Sequence, residues 1–222
     1  MKVRLISYSQ APEGAFIGLD NAQDLIAYCA RVSNPANQMN SETSEKLIKY
    51  LIKHAHWSPL EMVSACLEID TTRDIARQIL RHRSFSFQEF SQRYANPGEG
   101  FEEMFEKREA RLQDTKNRQN SIPTDDKDIE HEWFRIQSRV QWMAEREYKR
   151  AIKLGIAKEQ ARALLPEGLT KSRLYMNGTL RSWIHFIELR SANGTQLEHQ
   201  LVAKECAKVI ADIFPLAKEL TN

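Results

Sequence analysis

Residues 77–94 carry four arginines (Arg77, Arg81, Arg83, Arg93), His82, three serines (Ser84, Ser86, Ser91) and one carboxylate, Glu89, with no glycine or proline. Asp74 is the nearest upstream acid, so the stretch is locally cationic, and its composition is not that of a floppy basic tail. Forked guanidinium donors with short hydroxyl donors beside them are what a phosphate-bearing ligand needs. Three other places hold residue types that packing alone does not ask for. His54, His56, Ser58 and Glu61 surround Pro59, just ahead of a strand-like pattern. Arg162 stands four residues before Pro166. Arg181 and His185 are four apart and share a helix face, with Arg190 near the end of the same helix.

Plainer roles compete at each place. Arg181 and Arg190 also suit surface ion pairs or the negative end of a helix dipole. His54 and His56, without Cys or carboxylate partners at ligand spacing, are a weak metal signal, and no metal is expected. Ser86 and Ser91 lie in no nucleophile-elbow pattern, and the glycine-rich phosphate cradles are absent, so any nucleotide cofactor binds without them. A single-stranded nucleic-acid module is the rival class, because Phe85, Phe87, Phe90 and Tyr94 interleave with the arginines as stacking platforms would. Glu89 within the stretch, its place at a helix–strand junction, and the lack of any RNP or KH signature weigh against it.

Elements must position these side chains. Val3, Leu5, Ile6 and Tyr8 predict a first strand, ended by Pro12, Glu13 and Gly14. Residues 21–32 read as a helix capped by Asp20 or Asn21, with Leu25, Ile26, Cys29 and Ala30 on one face. A second helix opens at Ser41 or Ser44 and runs to His54. Alternation over residues 61–70 predicts a half-buried strand. Thr72 caps a helix with Ile75, Ala76, Ile79 and Leu80 as its buried stripe, and residues 84–94 return to strand or extended loop. Residues 96–128 form a polar excursion with one short helix at most, its charges a solvated face. Then come a long helix over 128–154, a short one over 158–165, a strand or turn over 169–176, a helix containing residues 180–189, and a last helix over 196–214. The simplest account is one α/β domain over residues 1–222, many helices on a small sheet.

Composition sets bounds but names no partner. With 41% apolar and 28% charged residues and a net charge of +2, the chain is an ordinary globular protein. It has no apolar run near the roughly 20 residues that span a bilayer. The first residues lack a signal-peptide pattern, so a cytoplasmic protein without membrane attachment is expected. Cys29, Cys66 and Cys206 are odd in number, widely spaced and set in apolar patterns, and each reads as a small buried hydrophobe.

The combination resembles one family. Arg81, His82 and Arg83, then seven residues, then Ser91 match the R-H-R-x7-S signature of the flavin-dependent thymidylate synthases, and Ser86, Arg93 and Tyr94 extend the match. Gln88 departs from the usual asparagine. His56 through Glu61 is similar to the family's H-x-[ST]-P-x-E segment, followed by Met62 where a histidine is common. Residues 162–166 and 177–190 also look like family segments. The resemblance implies an α+β subunit with a small, mostly antiparallel sheet and several long helices, assembled as a homotetramer with active sites between subunits. It implies FAD as cofactor, NADPH as reductant, and methylation of deoxyuridine monophosphate (dUMP) to deoxythymidine monophosphate (dTMP) from methylenetetrahydrofolate, with no cysteine nucleophile and no nucleic-acid partner. By the same resemblance Gln78, Ile79, Leu80, Arg81, Glu89, Phe90, Ser91, Gln92, Arg93, Arg162 and Arg190 form the dUMP set. Ser58, Arg81, His82, Arg83, Glu89, Thr179, Leu180, Arg181 and His185 form the FAD set. His56 positions the folate or the flavin, and Arg190 is the catalytic residue that polarises the uracil ring.

Overall fold

The computed structural model describes residues 1–12, 19 and 21–221. The chain runs β1 (Lys2–Tyr8), α1 (Ala22–Ala30), α2 (Ser44–Lys53), β2 (Ser64–Thr72), α3 (Arg73–Ile79), β3 (Ser86–Glu89) and a short α4 (Pro97–Gly100). A hairpin of β4 (Arg111–Gln113) and β5 (Ser121–Pro123) follows, then α5 (Lys127–Lys153), α6 (Lys158–Ala161), β6 (Lys171–Thr179), α7 (Leu180–Ser191) and α8 (Leu197–Ile210). Four strands form one antiparallel sheet in the order β1-β2-β6-β3, and β4 and β5 form a separate pair.

Period-two patterning builds the middle of the sheet. Ala65, Leu67 and Ile69 of β2, and Ser172, Leu174, Met176 and Gly178 of β6, are buried on one face. The two strands pair along their whole length, from Ser64 opposite Thr179 to Thr72 opposite Lys171. On the other face Arg4, Glu68 and Tyr175 lie side by side across three strands, and the buried Glu68 carboxylate accepts from Arg4 and, at 2.9 Å, from the Tyr175 hydroxyl. Next to them Arg173 grips Asp70 with two bonds of 2.6 and 2.8 Å. A buried carboxylate is tolerated only when paired in this way.

The apolar face is covered by α7 and α8, with Trp183, Phe186, Val202, Cys206 and Phe214 fully buried. Each such side chain contributes about 1.5–3 kcal/mol by leaving water. The indole of Trp183 also donates to the Ala65 carbonyl at 3.0 Å, tying α7 to β2. A smaller core of Met104, Phe105, Ala144, Tyr148 and Ala161 lies under α5 and is joined to the sheet by a bridge from Phe105 to Thr170.

Several expectations are corrected. The strand expected over residues 61–70 begins at Ser64, because Pro59 starts a 3-10 turn over Ser58–Glu61. Of the two alternatives over 169–176 the strand holds, extended to nine residues as a central strand of the sheet, β6. The excursion holds a β-hairpin as well as a short helix. Cys206 is buried, but Cys29 and Cys66 are only half-buried. Asn21 caps α1 through a 3.0 Å bond from the Asp24 amide, whereas Asp20, Glu13 and Gly14 lie outside the described residues. No helix among the described residues is long and apolar enough to cross a membrane.

Candidate active site

The turn after α3 carries Arg81, His82 and Arg83, and it docks on α7. The His82 ring meets Phe186 edge-on at 5.0 Å, and Phe85 packs on Trp183 at 4.9 Å. The Ser182 hydroxyl donates to the Ser84 carbonyl at 3.3 Å. Gly178 makes the fit possible, since a Cβ there would come within 2.4 Å of the Phe85 ring.

Docking brings His82 to Arg190, whose Nε donates to His82 Nε2 at 2.8 Å. An imidazole nitrogen that accepts a hydrogen bond carries no proton, so His82 is neutral with its hydrogen on Nδ1. Burial, with the Arg190 and Arg81 cations beside it, pushes the His82 pKa down to about 4. Burial, and then the Arg81 charge, also lowers Arg190 from its ordinary value. Arg81, Arg83, Arg162 and Arg190 have no carboxylate partner among the described residues. Guanidinium groups without counter-ions, half-buried at Arg162 and Arg190 and exposed at Arg81 and Arg83, favour an anionic ligand.

The other expected residues fall into separate groups. Glu89 is held by the Ser172 hydroxyl at 2.9 Å and by Arg73 and Arg77 at 3.6 and 3.7 Å. Phe90 packs on Phe101 at 5.4 Å. Ser91 opens a turn, and its Oγ accepts from the Arg93 amide at 3.4 Å. Gln92 is buried, and its amide nitrogen has no partner among the described residues. Arg93 lies 3.5 Å from Glu159 of α6, and half-buried Arg162 ends the same helix. No hydrogen bond or ion pair among the described residues joins Arg93 and Arg162 to the group around Arg190. Thr179 caps α7 by accepting from the Ser182 amide at 3.3 Å. Arg181 pairs with Glu61, and exposed His185 packs against Trp57 at 4.5 Å. Ser58 and His56 are exposed, with His56 6.0 Å from the Tyr50 ring. The side chains of Ile79 and Leu180 are entirely in the core, so only their backbones are available to a ligand. Leu80 is half-buried.

Gln78 shows what sequence reasoning missed. Its amide lies between Gln196, at 2.8 Å, and the Nδ1 of fully buried His199, at 3.2 Å. Gln196 bonds Glu198 at 2.9 Å, and Glu198 receives Arg111 from the hairpin. Arg108 grips Asp74 at 2.7 and 2.8 Å. These two arginines are largely buried, contrary to their reading as a solvated face. A mixed run of charges carries no local signal that two of its members turn inward. Gln196, Glu198 and His199, polar residues clustered at the start of the last helix, were the available hint.

Fold and cation placement define an α+β protein with arginines that lack carboxylate partners among the described residues. Residues 16–216 match the family model described as thymidylate synthase complementing protein. The chain is 47% identical over 221 residues to a probable flavin-dependent thymidylate synthase of Paramecium bursaria Chlorella virus 1, covering 99% of each. It is 47% identical over 217 residues to a flavin-dependent thymidylate synthase of a Synechocystis species, covering 97% of this chain and 96% of that one. The solved structure of a UMP/dUMP methylase from Streptomyces cacaoi, bound with 5-Br dUMP, superposes with a TM-score of 0.77 at 25% identity, covering 99% of this chain and 93% of that one. The chain belongs to the flavin-dependent thymidylate synthase family.

Proposed function

We propose that this enzyme methylates dUMP reductively to dTMP, with methylenetetrahydrofolate as carbon donor, NADPH as reductant and FAD as cofactor. The observation that carries the reading is Arg190: a half-buried guanidinium with no carboxylate partner, oriented by a neutral histidine. As C5 of the uracil becomes nucleophilic, negative charge builds on N3 and the ring carbonyls. A fixed cation stabilises that charge more in the transition state than in the ground state. His82 holds the guanidinium through Nε, which leaves its terminal nitrogens for the pyrimidine.

The residues present fit FAD, whose diphosphate needs cations without counter-ions of their own. Arg81 and Arg83 meet that need. Ser58, Thr179, Arg181 and His185 complete the flavin grip, with the backbone of Leu180 and the buried face of His82. Bound FAD supplies hydride transfer. Gln78, Ser91, Gln92, Arg93 and Arg162 hold the nucleotide, the two arginines on its phosphate, with the backbones of Ile79, Leu80 and Phe90 beside them. Glu89, fixed between Arg73 and Arg77, faces both ligands. His56 positions the folate or the flavin.

The assembly is a homotetramer with sites shared between subunits. Supporting this, α5 leaves Ile136, Val140 and Met143 exposed by 39, 44 and 54% on one stripe, an apolar face that favours covering. The separation of Arg93 and Arg162 from Arg190 also favours completion by a second chain. A nucleic-acid role fits less well: Phe85 and Phe87 pack into the core and Phe90 packs on Phe101, so Tyr94 alone is an open platform. The half-buried thiols of Cys29 and Cys66 support a reducing, cytoplasmic compartment.

Arg190→Ala tests the reading. The variant is expected to stay yellow with parent flavin content and to lose about 10²–10³-fold in thymidylate formation, as for removal of one preorganised donor. Near-parent turnover would exclude Arg190 from the chemistry.

A further inference from the structure

The hydrogen bonds around Gln78 have a direction, and it is fixed from one end. An ionised carboxylate only accepts, so Glu198 accepts a hydrogen bond from Arg111 on one oxygen and from the Gln196 amide nitrogen, at 2.9 Å, on the other. Gln196 must therefore present its carbonyl oxygen to Gln78, whose amide nitrogen donates at 2.8 Å. That turns the Gln78 carbonyl oxygen toward His199 Nδ1 at 3.2 Å. A carbonyl cannot donate, so Nδ1 carries the hydrogen. His199 is fully buried and its Nε2 has no partner among the described residues, as a lone pair would be left in the neutral ring. Burial, with Arg190 and His82 nearby, pushes its pKa down to about 3, so the ring stays neutral at ordinary pH. An apolar side chain would fill the same space against Phe186, 5.7 Å away, without stranding an acceptor.

We infer that His199 is a positioning residue: as the neutral Nδ1–H tautomer it fixes the rotation of the Gln78 amide, in a chain whose direction is set by Arg111 of the hairpin. This rests on the reading that Gln78 contacts the nucleotide. The excursion then has a task at the site, acting through Gln78. Arg108, bonded to Asp74 and 3.9 Å from Glu198, and Arg111 join the hairpin, α3 and the start of α8.

The test compares three variants of the flavin-loaded enzyme. His199→Phe removes the donor and keeps the volume, and it is expected to raise the KM for dUMP on the order of tenfold, the value of one hydrogen bond. Its kcat and flavin content should stay close to parent. His199→Asn restores a donor near the same position and should recover most of the KM. A parent KM in His199→Phe, or no recovery in His199→Asn, would overturn the positioning role. Gln78→Ala separates the two readings: a raised KM there with a parent KM in His199→Phe sinks the positioning role alone, whereas a parent KM in Gln78→Ala removes Gln78 from the nucleotide site and the inference with it. Nitrogen-15 spectra of the parent enzyme provide a check independent of variant folding. A protonated Nδ1 and a bare Nε2 on His199 are expected, and the reverse assignment refutes the chain.

Discussion

Acidification should destabilise this protein through two histidines, His82 and His199. His82 is held near 4 and His199 near 3, against about 6.5 for the unfolded chain. The unfolded state therefore binds protons in a range where the native state binds none. Stability contributed by the neutral rings is fully present above pH 6.5 and is lost as pH falls toward 4. At pH 5 linkage gives roughly 2 kcal/mol for each ring, or roughly 4 kcal/mol together relative to pH 8. The structural causes are specific. A protonated His82 cannot accept from Arg190, and a protonated His199 places a second charge in a buried site beside Gln78. Urea unfolding followed by tryptophan fluorescence, at one protein concentration from pH 8 to 4.5, measures this. A stability curve flat between pH 7 and 5 would refute the neutral assignments. His199→Asn should remove about half of the pH dependence while leaving the part due to His82.

Two further outcomes follow from packing. Gly178→Ala would place a methyl 2.4 Å from a buried ring atom of Phe85. Overpacking of this kind costs roughly 2–3 kcal/mol, or about 5–10 °C in Tm, and should lower flavin content because the turn at Arg81–Arg83 leads straight into Phe85. Parent Tm and flavin content would show that the turn is not braced there. Ile136→Asp combined with Val140→Asp places charge on the exposed stripe of α5. Sedimentation should show smaller species with the flavin site impaired, and an unchanged mass would clear α5 of any part in assembly.

Most of the elements could be read from pattern because their signals are local. Period-3.6 stripes gave α1, α2, α3, α7 and α8, and the alternation around Leu67 gave the middle of β2. The hairpin was missed because its turn rests on Asp114, whose carboxylate accepts from the Lys116 and Asn117 amides at 2.7 and 3.0 Å, within a run that looks merely charged. Ile136, Val140 and Met143 of α5 stay exposed in the single chain, which the helical pattern alone does not tell.

The sequence by itself determined the family and the chemistry. The Arg81-to-Ser91 spacing and the arginines at 162 and 190 are legible in the chain without any knowledge of its folding. Tertiary structure alone decided which of them stand without a counter-ion, since pairing partners such as Glu159 for Arg93 lie 66 residues away in the chain. It also decided that His82 orients Arg190, and that Arg111, Glu198, Gln196 and His199 govern Gln78. Protonation state and hydrogen-bond direction depend on burial and on neighbours from distant segments, and these exist only once the sheet has brought α3, the hairpin and α8 together.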